Sequence, residues 1–373
     1  MKYFDYASTT PLDDEVLETY THVLKKYYVN SESIYPSGLE VNKLMNKSRQ
    51  SVADLLGVQA GEIIFTSGAS EANNMAIKGT CLARRDKGRH IITTCIEHSS
   101  VANSVKWLQE NEGYEVTWLS VNEEGKIDLK ELADSIRSDT VLVSVMWVNN
   151  ESGTIEPIEE VKKIVKKYRN IYLHVDCVQA LGKMPLDFTD IDLASFSAHK
   201  IYGLKGSGIL LKKQHVIMTP LISGGQQEMH LRGGTANSPA NIVWGKTLRL
   251  VMDGLEEKCN RVREYNDYVR NELGEMKNII INSPLDASPY VLNFSCLTIP
   301  SEVMMNALAL KGYCVSAQST CESGQNYSQV MEQMFKNHTR LKGIVRVSFS
   351  HKQSWQEIRE FVSDLKEIVE KYG

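Results

Sequence analysis

Short apolar runs recur along the first two thirds of the chain. Most give way to a polar, small-residue turn and then to apolar residues at helical spacing. Runs at 63–65, 90–95, 115–121, 140–148, 172–176 and 191–196 read as strands. Stretches 13–28, 39–56, 72–84, 101–111, 129–136 and 158–168 read as helices. This alternation predicts an α/β fold with a mainly parallel sheet and right-handed crossovers. Residues 1–11 read as an extended lead and 30–38, rich in polar and turn residues, as a loop. Residues 238–270 read as one long helix leading into a smaller α+β unit. That unit has strands at 278–281, 291–294 and 344–349 and helices at 301–310, 329–336 and 355–372. Between them, 313–327 begins as an apolar strand and turns into a polar loop carrying Cys321. No internal repeat or low-complexity segment interrupts the pattern.

The densest chemistry lies at 171–211, IYLHVDCVQALGKMPLDFTDIDLASFSAHKIYGLKGSGILL. Two of the apolar runs end here, one on Asp176 and one on Ser197-Ala198-His199-Lys200. Ligands of open α/β sheets sit beyond the carboxyl ends of the strands. An acid and a lysine at that edge are the two groups a pyridoxal phosphate site needs: an amine for the imine and a carboxylate to keep the ring nitrogen protonated. Each alone reads as well as a surface lysine or a capping aspartate.

Three further turns carry candidate chemistry. Strand, then Thr66-Ser67-Gly68-Ala69-Ser70-Glu71, then helix is an anion cradle in which backbone N–H groups meet a phosphate and Ser70 adds a hydroxyl; plain helix capping reads the same residues as well. His98 stands at another strand-to-helix turn, where an imidazole can stack on a ring and move protons. Gly224-Gly225 and Leu231-Arg232-Gly233-Gly234-Thr235 suit a second phosphate contact.

Composition narrows the classes. The 373 residues are 42% hydrophobic and 24% charged, enough for a large core and two domains. A net charge of −4 without a basic cluster argues against nucleic acid as a partner. No apolar run is long enough to span a bilayer, and MKYFDYASTT lacks the basic and apolar regions of a secretory signal. The 7 cysteines form no C-x-x-C pair and their odd count argues against a disulfide framework, so a reducing, cytoplasmic setting is expected. No metal site is called for.

Taken together, YFDYASTTP, FTSGASEANN, EHSSV, VNNESGTI, HVDCVQALGK, SFSAHKIYGLKGSGIL, LRGGTANSPANIV, VSAQSTC and VRVSFS resemble, in this order, the cysteine desulfurases of the NifS/IscS-like branch of the class V aminotransferases. The resemblance covers nearly the whole chain. It implies the fold type I of pyridoxal phosphate enzymes, with a mainly parallel seven-stranded sheet in a large domain (13–255). A smaller α+β domain (1–12 and 256–373) carries the cysteine loop. It also implies a homodimer with the active site at the subunit interface. By this resemblance Lys200 is the Schiff-base lysine and removes the α-proton, Asp176 pairs with the pyridine nitrogen, and Gln179 sits near the ring hydroxyl. His98 stacks on the ring and handles the thiol proton. Ala69, Ser70, Ser197 and His199 hold the phosphate, with Thr235 arriving from the partner subunit. Asn150 and Arg346 bind the substrate carboxylate, and Cys321 is the nucleophile that takes sulfur from L-cysteine as a persulfide and passes it to an acceptor protein.

The chain departs from the family pattern in places. Gln318-Ser319-Thr320-Cys321-Glu322 replaces the usual G-S-A-C and a small polar residue, and a carboxylate beside a thiol tends to raise its pKa. Tyr35 stands where the family often has His. The chain ends soon after the 355–372 helix, so a dedicated acceptor such as a tRNA-thiolation protein is expected as readily as the iron–sulfur scaffold. Two other readings stay open on the sequence: a class V lyase, aminotransferase or epimerase without a persulfide relay, and a non-catalytic scaffold that only binds partners.

Overall fold

A seven-stranded sheet organises the computed structural model, which describes residues 1–317 and 328–373. Strands are numbered along the chain. β1 is Lys2–Tyr3, β2 Ile63–Thr66, β3 His90–Thr94, β4 Glu115–Leu119, β5 Thr140–Met146, β6 Tyr172–Asp176, β7 Leu193–Ser197 and β8 Gly208–Lys212. β9 is Ile279–Ile281, β10 Val291–Cys296, β11 Tyr313–Cys314 and β12 Ile344–Ser348. The large sheet runs β2-β8-β7-β6-β5-β3-β4. Only β8 runs against the others, pairing antiparallel with β2 and with β7. The inner strands β5, β6 and β7 are buried along their whole length. That is why they read as continuous apolar runs rather than alternating ones. Helices cover both faces. One apolar cluster joins Val143, Leu173 and Phe196 to Trp244 and Leu248, and another joins Ile91 and Leu142 to Val101, Val105 and Leu108.

The C-terminal part packs around a second cluster that includes Tyr265, Phe294, Val347, Phe361 and, from the chain start, Phe4. Its sheet is antiparallel, β12-β10-β9, and β1 pairs in parallel with β11. The amino terminus is thus a structural strand rather than only an extended lead. An isolated bridge from Asp5 to Ser348 continues it towards the site.

Four elements differ from the sequence reading. The helix expected at 39–56 begins at Pro36, inside the stretch read as a loop; proline suits a first helical position because its missing N–H has no partner there anyway. The helix expected from 72 begins at Ala69 and passes through a π segment, Met75–Gly79, before Thr80–Ala83. The single helix expected over 238–270 is two, Ser238–Met252 and Leu255–Gly274, broken at Gly254 with φ +59. A short helix at His338–Lys342 escaped the pattern altogether. Among the described residues no helix is long and apolar enough to cross a membrane.

Candidate active site

A cavity of about 580 Å³ opens beyond the carboxyl ends of the strands. β6 delivers Asp176 to it. β7 delivers Ser197 and, through one 3₁₀ turn, His199 and Lys200. Ala69 and Ser70 line it from the helix start after β2, His98 from the turn after β3, and Asn150 from the segment after β5. Gln179 follows β6, and Arg346 reaches the cavity from the middle of β12. Ten of the twelve expected site residues therefore share one wall system. Thr235 does not: it is exposed on this chain, outside the cavity. Cys321 lies outside the described residues.

The turn before Ala69 is forced by glycine. Gly68 has φ 151 and ψ 177, a region open essentially to glycine alone. Gly208 on β8 passes so close that a β-carbon there would stand 2.5 Å from the Gly68 Cα. Glu71, the one carboxylate in this turn, accepts the Ser67 N–H and pairs with Arg232 at 2.9 Å. Arg232, expected at a phosphate, is thus spent on Glu71, while Lys205 lines the cavity nearby.

Each catalytic candidate is held by named partners. The Asp176 carboxylate accepts the Val178 N–H at 3.0 Å on Oδ1 and the Asn73 amide at 2.8 Å on Oδ2. Gln179 accepts from Lys183 Nζ at 2.6 Å and donates to the Ala7 carbonyl at 2.9 Å. Burial, and then the charges of Lys200 and Arg346, push the Lys183 amine down to about 7. Lys200 Nζ donates to the carbonyls of Ala7 and Ser8 at 2.8 and 2.6 Å. His199 meets the Thr9 hydroxyl at 3.1 Å. Burial, and then Lys200 and Lys205, bring its imidazole down to about 4, so it is neutral near pH 7. Arg346 is almost fully buried. Its Nη1 donates to the Asn150 carbonyl at 2.9 Å, and its Nη2 to Asp5 and to the Ser8 hydroxyl, both at 2.8 Å. Its Nε has no hydrogen-bond partner among the described residues.

The sequence reading passed over Ala7, Ser8 and Thr9, which line the cavity although the segment reads only as a lead. It also passed over Asn73 and Ser100. The signal for Asn73 was available, because asparagine is a poor choice for a helix interior unless its side chain has a task. No group of His, Cys, Asp and Glu that could hold a metal occurs among the described residues.

The family described as Aminotransferase class-V matches residues 2–361. The chain is 40% identical to a NifS/IcsS protein homolog of Lactobacillus delbrueckii subsp. bulgaricus, over 100% of this chain and 98% of that one. It is 38% identical to a cysteine desulfurase IscS of Dictyoglomus turgidum, over 99% and 94%. Among solved structures, a NifS-like protein superposes with a TM-score of 0.94 at 35% identity, covering 100% of both chains. With this sheet order and an acid and a lysine at the strand ends, the chain belongs to the class-V aminotransferase family, in its NifS/IscS-like cysteine desulfurase group.

Proposed function

We propose that the chain is a pyridoxal phosphate-dependent L-cysteine desulfurase that converts L-cysteine to L-alanine and stores the sulfur as a persulfide on Cys321. The observation that carries it is the meeting of Lys200 and Asp176, from adjacent parallel strands, in one cavity with Arg346. The residues present fit the cofactor. A helix start, two hydroxyls (Ser70 and Ser197) and the neutral His199 offer donors to a phosphate. The adjacent carboxylate, Glu71, is already neutralised by Arg232. Asp176, anchored by two donors, is a carboxylate ready for a protonated ring nitrogen.

When bound, the cofactor supplies an electron sink for the substrate α-carbon. The chain does the rest. Arg346 binds the substrate carboxylate, with Asn150 beside it; its buried Nε is a donor suited to an acceptor from outside the chain. Lys200 Nζ takes the α-proton, leaving the Ala7 and Ser8 carbonyls to do so. His98 covers the ring and handles the thiol proton. The Cys321 thiolate attacks the substrate sulfur; the carbon–sulfur bond breaks, a sulfur–sulfur bond forms, and alanine leaves. The persulfide passes to an acceptor protein, a scaffold or a thiolation partner.

The division into a large domain (13–255) and a small one (1–12 and 256–373) belongs to this reading and is supported by the separate apolar clusters. So does a homodimer, in which the exposed Thr235 would reach the phosphate of the second copy; the exposed Ile34 and Leu39 support self-association. A cytoplasmic setting fits an enzyme that works through a free thiolate. The test is Cys321→Ala. It should keep the visible absorbance of the bound cofactor and lose both persulfide and alanine formation from cysteine. Undiminished turnover would sink the proposal and favour a lyase or aminotransferase without a relay.

A further inference from the structure

We propose that Asn73 and Ser100 are positioning residues that fix His98 in its Nε2–H tautomer and tie it to the Asp176 carboxylate. The inference rests on the reading of His98 and Asp176 as parts of the active site. Asn73 is fully buried. Its Nδ2 donates to Asp176 Oδ2 at 2.8 Å and to the Ser100 hydroxyl at 2.9 Å. The amide cannot be turned the other way, because its oxygen would then face a carboxylate that only accepts. Ser100 Oγ, having accepted from Asn73, lies 2.8 Å from His98 Nδ1, and the Ser100 backbone N–H lies 3.2 Å from that same nitrogen. A backbone N–H can only donate, and a hydroxyl already accepting has its own hydrogen to give. Both point at one lone pair, so Nδ1 is the acceptor and the proton of the neutral ring sits on Nε2.

Two further observations separate this chain of donors from ordinary packing. The Asn73 Oδ1 is buried without a hydrogen-bond partner among the described residues. A residue chosen for stability would not strand an acceptor there; one chosen for two divergent donors does. His98 is also the N-cap of the Ser99–Glu112 helix, a position that Ser, Thr, Asp and Asn usually fill. The imidazole thus caps a helix with one nitrogen and keeps a hydrogen on the other. The arrangement makes His98 a donor from Nε2, and a change of charge on Asp176 reaches it through two intervening side chains.

The test is ¹⁵N NMR of histidine-labelled, cofactor-free protein near pH 8, with the His98 signals assigned by their loss in His98→Gln. The unsubstituted chain should show a pyridine-like Nδ1 and a pyrrole-like Nε2. Ser100→Ala should shift the tautomer ratio by about tenfold, the worth of one neutral hydrogen bond, and Ser100→Thr should restore it. Asn73→Leu should move it in the same direction. A pyrrole-like Nδ1 in the unsubstituted chain, or a ratio unmoved by Ser100→Ala, would overturn the inference. The first of these is read on the unsubstituted chain and needs only the His98→Gln assignment variant to fold. Because the readout involves neither cofactor nor cysteine, a chain with the expected tautomer but no desulfurase activity would sink the functional reading alone. An active desulfurase with the opposite tautomer would sink this one alone.

Discussion

Gly208→Ala is the substitution on which the geometry of the cofactor cradle speaks most directly. The added β-carbon would stand 2.5, 2.6 and 2.8 Å from the Cα, C and N of Gly68. That is about 1 Å short of ordinary carbon–carbon contact at ~3.5–4 Å. All three atoms are backbone, so no side chain can swing aside. β8 cannot retreat either, since Gly208 is paired with Thr66 on one side and Ser197 on the other. The Gly68 turn must give, and Ala69 and Ser70 move with it. Overpacking of this kind costs about 1–3 kcal/mol of stability. Losing one hydrogen bond to a charged phosphate costs about 1.5–3 kcal/mol of binding, a ten- to hundredfold rise in cofactor Kd. Urea unfolding followed by circular dichroism and an absorbance titration with pyridoxal phosphate measure the two effects. Gly57→Ala is the control. Gly57 has φ +67 at a helix end with no atom near its β-carbon, so it should cost about 1–2 kcal/mol and leave cofactor binding alone. The reasoning fails if Gly208→Ala binds the cofactor as tightly as the unsubstituted chain, or if both variants weaken binding equally.

Two other outcomes are expected. The Lys183 amine is held at about 7 against 10.5 for an unperturbed lysine, so as pH falls the unfolded chain takes the proton first. Its cost is therefore absent above pH 10.5 and grows by about 1.4 kcal/mol per unit down to about pH 7. The cofactor-free protein should gain about 2–3 kcal/mol from this group between pH 7.5 and 9.5. Lys183→Met should lose that slope in urea unfolding; an identical slope would show that the cost lies elsewhere. Arg346→Lys keeps a charge but loses the planar fork, so the KM for cysteine should rise about tenfold or more while cofactor absorbance stays. An unchanged KM would remove Arg346 from the carboxylate site.

Much of this was legible in the sequence for a physical reason. Fully buried parallel strands are unbroken apolar runs, and their ends carry the ligands, so β6 with Asp176 and β7 with Ser197 announce themselves. What stayed hidden depends on partners far away in the chain. Ala7 and Ser8 act through backbone carbonyls, which no residue type reveals. Arg232 reads as a phosphate ligand until Glu71 is found beside it. The break falls within a helical pattern that one glycine does not visibly interrupt, though Asp253 turns extended at ψ 124 and Gly254 follows at φ +59 to start the next helix. Cys321 itself lies outside the described residues.

The pairing of β1 with β11 sets a timetable for the enzyme. Lys2 waits for Tyr313, and Asp5 for Arg346 and Ser348, before either has its partner. At about 5–20 residues per second of synthesis, that wait is roughly 15–60 s. The large sheet, complete at Lys212, can assemble meanwhile and already carries the partners of residues 7–9, but the Arg346 side of the cavity arrives only with the last strand. The cavity thus gains its full lining only after translation of β12. A ribosome stalled anywhere before Ile344 would hold a chain with Lys200 made and the Arg346 side of its cavity missing.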